Sequence, residues 1–400
     1  MIALINTVCT GSTGKIITGL QNYLQANGYE AVVYYGRGKR TKNKTRQKFC
    51  YDIEVLWHYV LQRITGQVCI GSRLATRRLI KQLRKNNVRA VFLENLHGYY
   101  INEKMLFDYL VKEDVKVVYI MADESAFWGN CNYNNGCSLY KQECVGCPRL
   151  NKSQRVLFGE RSHKAFSIKK SAYDKLDAVF VAPEFVINCA RHAPLLVGKH
   201  LEIVDEAIDV SVNIPRDTSA LRKQLGIKDD QIVIGCVAPY SYPRKGVRYL
   251  VEAAKKLEND ERFVFVQVGF DIKDKSFLPK NYIPIGYVND QQMLTEYYSL
   301  ADLFVFPSLA DTMPNACLEA MSCGSPLLCF NTSGMPYMAD DTVMTLVEPE
   351  NVDQMVEVIL KTKKKDEKTI NRCRAYALKR FDNQKYFERL LSIMDSMNNN

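Results

Sequence analysis

Residues 307–326 read Pro-Ser-Leu-Ala-Asp-Thr-Met-Pro-Asn-Ala-Cys-Leu-Glu-Ala-Met-Ser-Cys-Gly-Ser-Pro. An apolar run, Leu303–Phe306, precedes this stretch, and a second, Pro326–Phe330, closes it. Short apolar runs bounded by turn formers read as buried strands, and Asn315–Ser322 between them reads as a helix. Strand, helix and strand in this order make the crossover unit of a parallel sheet. Asp311 falls in the loop after the first strand, and the helix starts near Pro314. Glu319 follows about one turn into that helix, eight positions after Asp311. The free N–H groups of a helix start attract anions. Two carboxylates flanking such a start can hold hydroxyls while the helix dipole receives phosphate.

The same alternation extends in both directions. Upstream in this half, strands are expected at Ile232–Ala238, Phe263–Val268 and Tyr282–Ile285, with helices at Arg248–Leu257 and Gln291–Ser299. The first half predicts strands at 1–8, Ala31–Tyr35, Ala90–Glu94, Lys116–Met121 and Ala178–Ala182, and helices at 14–27, 73–87 and 103–112. Val204–Leu221, with Pro215 and a charge-rich flank, reads as the interdomain linker, and a final helix is expected near Gln384–Met397. Four hundred residues exceed what one hydrophobic core usually organises. The expectation is therefore an α/β protein of two αβα domains, 1–208 and 209–383, with 384–400 as a closing helix. Folds of this kind bind ligands at the carboxyl ends of their strands, here in a cleft between the two sheets.

Composition narrows the function classes. Hydrophobic residues at 47% and charged residues at 24% describe an ordinary globular chain. The net charge of +10 is uneven: residues 1–100 hold sixteen basic and four acidic side chains, and the remainder is close to neutral. Gly36–Lys48 alone holds seven basic residues and no acid, and reads as a loop. Such asymmetry points to an anionic partner: phosphate, membrane surface or nucleic acid. The thirteen cysteines are odd in number and mostly scattered, unlike a secreted disulfide framework. The first residues lack a signal-peptide pattern, and no run approaches the roughly 18–20 apolar residues of a membrane span. The expectation is a cytoplasmic protein, with attachment to the inner face of the membrane left open.

Three further segments carry chemistry. The first strand runs into Thr7-Val8-Cys9-Thr10-Gly11-Ser12-Thr13-Gly14-Lys15, where Gly11 and Gly14 let backbone approach a ligand. This is neither a Walker A loop nor GxGxxG. Ala238-Pro-Tyr-Ser-Tyr-Pro-Arg244-Lys245-Gly246 places adjacent Arg and Lys after a strand, a pairing suited to a diphosphate. Cys131, Cys137, Cys144 and Cys147 include one CxxC pair. They read either as a structural zinc site, closed to catalysis, or as a metal-free Cys-rich loop.

These residues together resemble glycosyltransferase family 4. The likeness rests on the Arg244-Lys245-Gly246 turn, the Asp311-x7-Glu319 segment and Glu319-Ala-Met-Ser-Cys-Gly-Ser-Pro. It extends to Gly11–Gly14, to Asn95-Leu-His97-Gly-Tyr99-Tyr-Ile-Asn and to Cys144-Val-Gly-Cys147-Pro in the first half. The branch that builds bacterial capsular and exopolysaccharide repeats is the most similar. The resemblance implies a GT-B fold, two Rossmann-like αβα domains facing each other across a cleft, and a retaining, metal-independent hexosyltransferase that needs no cofactor. Carried over residue by residue, it assigns Gly11, Gly14, Arg244, Lys245, Met313, Pro314, Asn315, Ala316 and Glu319 to the nucleoside-diphosphate sugar donor. Asn95, His97 and Tyr99 fall on the acceptor side, and Asp311 and Asp123 are the implied catalytic positions.

The departures are specific. Asp311 stands where the family has a Glu, one methylene longer. In the run Ala122-Asp123-Glu124-Ser125-Ala126-Phe127-Trp128-Gly129-Asn130-Cys131, Ala122 replaces the family's His. Tyr337 stands at a position usually held by Glu. A changed donor specificity is the first reading of these differences; a non-catalytic partner in a polysaccharide assembly complex is the alternative. The implied partners are the donor, a polyprenyl-diphosphate-linked or other glycan acceptor, and anionic membrane at the basic face of Arg37–Lys48 and the 73–85 helix. Nucleic acid drops out, because no nucleic-acid module surrounds the basic residues.

Overall fold

Strands buried on both faces read as unbroken apolar runs, and the central strands of the first sheet obey that rule. In the computed structural model, β1 (Ile2–Asn6), β2 (Ala31–Tyr35), β4 (Ala90–Glu94) and β6 (Ala178–Ala182) are buried at every residue. With β3 (Arg46–Lys48), β5 (Lys116–Ile120) and β7 (His200–Ile203) they form an all-parallel sheet, order β3-β2-β1-β4-β5-β6-β7. The helices among them are α1 (Gly11–Ala26), α2 (Asp52–Thr65), α3 (Arg73–Lys85), α4 (Glu103–Lys112), α5 (Ser162–Tyr173) and α6 (Glu184–Ala190). The structure describes residues 1–67, 70–133, 136–147, 157 and 161–398.

The second sheet is again wholly parallel, with the order β10-β9-β8-β11-β12-β13. In chain order its unit contains α7 (Ser219–Gln224), β8 (Ile232–Val237), α8 (Val247–Lys256), β9 (Phe263–Val268), β10 (Tyr282–Ile285) and α9 (Gln291–Leu300). There follow β11 (Leu303–Phe306), α10 (Asn315–Ser322), β12 (Leu327–Phe330), α11 (Met335–Met338), β13 (Met344–Val347), α12 (Val352–Lys361) and α13 (Glu367–Arg380). The core of this unit gathers Ile234, Phe265, Phe304, Leu318, Met321 and Leu328 between sheet and helices.

The chain divides into Met1–Val204 with Gln384–Asn400, and Asp205–Asn383. The break opens the segment read as a linker, so residues 205–208 go with the second unit rather than the first. Two contacts explain this. Asp205 is paired with Arg380 at 2.6 Å, and the Ile208 N–H donates to the Phe381 carbonyl at 3.0 Å. The last helix, α14 (Asn383–Asn398), returns to the first unit: Phe387 lies against Tyr23, and Tyr29 donates to Asp395. The helix α2 lies in a stretch to which the sequence reading gave no element. Among the described residues no helix is long and apolar enough to cross a membrane.

Candidate functional site

In doubly wound sheets the strand order reverses at one point, and the loops on either side diverge to leave room for a ligand. In the second unit that point lies between β8 and β11. The loop after β8 carries Arg244 and Lys245; the loop after β11 carries Asp311. The Arg244 guanidinium lies 3.0 Å from one Asp311 carboxylate oxygen, and the Lys245 ammonium lies 2.9 Å from the other. The Ser308 hydroxyl donates to the second oxygen at 2.7 Å. Backbone joins the loops as well: the Leu309 N–H donates to the Arg244 carbonyl at 2.8 Å, and the Arg244 side chain donates to the Ala310 carbonyl. Asp311 is 7% exposed, and the Lys245 ammonium sits 5.0 Å from the centre of the Phe306 ring. Gly246 makes this approach feasible. Its φ is 66°, and a Cβ there would run into the Pro307 carbonyl.

Met313 and Pro314 are buried, and Asn315 and Ala316 are half-buried at the start of α10. No acidic residue stands in the first turn of that helix, and Pro314 at its cap offers no side-chain acceptor. The first-turn N–H groups stand after the β11 loop and the Arg–Lys pair on the β8 loop joined to it, and both carry positive charge. Glu319 accepts a 2.7 Å hydrogen bond from the Tyr298 hydroxyl. The geometry changes the reading of Asp311. Both of its oxygens are engaged, by Arg244, Lys245 and Ser308, an arrangement that fixes the two cations against each other. Ser308 was missed by the sequence reading, although it lies three residues before Asp311 in the stretch that decided the fold.

The first unit has its own reversal point, between β1 and β4. There the Thr7 hydroxyl donates to the carbonyls of Asn95, at 2.5 Å, and His97, at 2.9 Å. Gly11 opens α1 after this loop, and a Cβ on Gly14 would meet the Cys9 carbonyl carbon at 2.5 Å. Asn95 and Tyr99 have φ of 45° and 65°, which turns the 95–99 loop tightly enough to aim His97 at Asp123. Their side chains are 2.9 Å apart, and the Asn132 amide lies 3.3 Å from the other imidazole nitrogen. The imidazole paired with Asp123 thus comes from the β4 loop. Burial disfavours the charged imidazolium, but the Asp123 carboxylate outweighs it, and the His97 pKa is raised. Burial also opposes charge on Asp123; His97 and Ser125 overcome it, and its pKa is lowered. Beneath this turn the buried Lys169 ammonium donates to the carbonyls of Ser125 (2.6 Å) and Trp128 (3.0 Å). Tyr99 packs edge-on against Tyr59, with ring centres 5.4 Å apart.

Among the described residues no group of three or more His, Cys, Asp or Glu is placed to hold a metal ion. None of Cys131, Cys137, Cys144 and Cys147 falls in such a group, and the zinc reading of their spacing stays an expectation. Cys144 accepts from the Gly129 N–H, and burial pushes its thiol up to about 11. The end of this segment, 148–150, lies outside the described residues.

Comparison with known proteins is consistent between sequence and fold. Residues 217–395 match the family model for glycosyl transferases group 1. The chain is 24% identical over 272 residues to a putative colanic acid biosynthesis glycosyl transferase, WcaC, of Escherichia coli K12. That match covers 66% of this chain and 65% of the relative. It is 27% identical over 186 residues to an Escherichia coli UDP-Gal:alpha-D-GlcNAc-diphosphoundecaprenol alpha-1,3-galactosyltransferase, covering 43% of this chain and 46% of the relative. The matches thus span less than two thirds of either curated relative. In fold, the chain is similar to sucrose-phosphate synthase of Thermosynechococcus elongatus, with a TM-score of 0.69 and 12% identity over 99% of this chain and 98% of the other. The architecture is GT-B.

Proposed function

Since residues 217–395 belong to the group 1 glycosyl transferases and the fold is GT-B, we propose that this protein is a glycosyltransferase of polysaccharide biosynthesis. It moves a hexose from a nucleoside-diphosphate sugar to a hydroxyl of a glycan acceptor, with retained anomeric configuration and without a metal. The observation that carries the reading is the pair of cations, Arg244 and Lys245, pinned on one buried carboxylate at the β8–β11 reversal point. A leaving diphosphate gains negative charge as the glycosidic bond breaks. Fixed cations stabilise that charge more in the transition state than in the ground state. Arg244 supplies a planar fork and Lys245 a point charge, and the first-turn N–H groups of α10 add to them. Glu319, held by Tyr298, is the ribose partner.

The acceptor side belongs to His97, Asp123 and Asn132 of the first unit. Among the described residues no carboxylate is identified as a nucleophile, and the proposed course is front-face attack in which the departing phosphate takes the acceptor proton. A lipid-linked acceptor is supported by the galactosyltransferase relative, whose own acceptor is a diphosphoundecaprenol glycan. The test is transfer of label from a panel of nucleotide sugars to diphosphoprenyl-linked glycans, with Lys245→Ala as control. Product formed by the parent and lost in the variant supports the reading. Absence of product from every donor, or full activity in the variant, overturns it.

A further inference from the structure

Helix α2 is turned inside out. Ile53, Leu56 and Trp57 are 70%, 56% and 68% exposed, and Ile64 is 42% exposed. At spacings of three and four these residues, with the partly buried Val60, form one stripe along the helix. The inward face carries polar residues: His58 and Gln62 are buried, and His58 lies 2.9 Å from the Ser72 hydroxyl. A helix that exposes its apolar stripe needs a partner for it.

The surroundings of the stripe identify that partner. Tyr51, at the start of α2, lies between Arg40 and Arg78, whose guanidinium carbons are 5.4 Å and 4.6 Å from its ring centre. The basic 37–48 loop and the basic helix α3 therefore flank α2 on either side. Residues 31–93 contain fifteen Lys and Arg and two acids, Asp52 and Glu54. Those acids are already paired, with Lys48 at 2.6 Å and with Arg78. The α3 helix adds Leu74, 61% exposed beside Arg73 and Arg77. A second copy of this surface is a poor occupant, because it would set like charges face to face. Nucleic acid would satisfy the cations but leave the stripe in water. An anionic bilayer satisfies both features, since interfacial helices bury an apolar face among headgroups and draw basic residues onto them.

We propose that α2 is an interfacial membrane helix. Ile53, Leu56, Trp57, Val60 and Ile64 enter the headgroup–acyl boundary of an anionic leaflet, and basic side chains of the 37–48 loop and α3 rest on lipid phosphates. This deepens the transferase reading, because it brings the first unit to where a lipid-linked acceptor resides, yet its test does not depend on sugar transfer.

The chain supplies its own reporter. Of its two tryptophans, Trp128 is 2% exposed and Trp57 lies on the stripe. Titration of the full chain with phosphatidylglycerol–phosphatidylcholine vesicles is expected to shift Trp57 emission to the blue and to sediment the protein. Pure phosphatidylcholine vesicles are expected to do neither. The triple variant Ile53→Gln, Leu56→Gln, Trp57→Gln is expected to lose at least tenfold in partitioning while its thermal midpoint holds. Trp57→Phe is expected to keep binding and lose the emission shift. Equal binding by the triple variant, unshifted Trp57 in sedimented protein, or a solution dimer that the triple variant dissociates would each overturn the proposal. A protein that docks through α2 and transfers no sugar supports this inference and counts against the transferase reading alone.

Discussion

The two reversal points share a topology and differ in charge. Between β1 and β4, the loops are joined by the Thr7 hydroxyl, and the Asp123 carboxylate is paired with the His97 imidazole. Between β8 and β11, one carboxylate, Asp311, holds two permanent cations. The first cluster is balanced when His97 is protonated; the second keeps a surplus positive charge in a half-buried place, where a charge interacts strongly. Topology supplies a location for a ligand in each unit. The side chains then differ, and the proposed assignment of the diphosphate to the second unit and the acceptor hydroxyl to the first rests on that difference.

Five changes break or sharpen this contrast. Lys245→Ala should lower sugar transfer by roughly 10²–10³-fold, the scale of losing one preorganised transition-state contact. Its thermal midpoint should stay close to the parent's, and His97→Ala should leave donor binding intact. Asp311→Asn keeps both cations but releases their common anchor. Turnover should then fall about tenfold by the orientation argument, with less effect on affinity for the free nucleoside diphosphate. Gly246→Ala forces a side chain into the positive-φ turn that joins the two loops. Denaturant melts should show a loss of about 1–3 kcal/mol, with weakened donor binding.

The smallest effect belongs to the first unit. Asp123→Asn should cost about 1–2 kcal/mol near pH 6, read from melts across pH. The sign follows from both shifts. The lowered Asp123 pKa gives stability that is present above the usual carboxylate value and is lost as pH falls through the folded value. The raised His97 pKa gives stability that is present below the usual imidazole value and is lost as pH rises through the folded value. The difference between parent and variant should therefore peak between the two and narrow on either side. A flat difference would mean that His97 and Asp123 do not titrate as a pair.

The central parallel strands were legible because burial on both faces writes them as apolar runs; β4, β9 and β11 have the bounds their sequences predict. The outer strands β3, β7 and β13 are polar or partly exposed and carried no such run, and β3 forms from Arg46–Lys48, the end of the stretch read as a loop. Helix α2 was not, because pattern reading assumes that apolar residues face inward, and here His58 and Gln62 do. The residues of the second reversal point were visible as types, Arg, Lys and acid on two loops. Their arrangement was not: no local signal says that both Asp311 oxygens are taken, or that Ser308 shares one of them. Lys169 was equally silent, since its contacts with Ser125 and Trp128 lie more than forty residues away. The His97–Asp123 pair was silent too, since the two side chains come from different loops.

The central claim is that Arg244 and Lys245 receive the donor diphosphate. Its most direct test is calorimetric titration of UDP, GDP, ADP and dTDP into the parent, Lys245→Ala and His97→Ala. The account predicts that one nucleotide binds the parent, that Lys245→Ala weakens it at least tenfold, and that His97→Ala leaves it unchanged. Undiminished binding in Lys245→Ala, or an equal loss in His97→Ala, would contradict it.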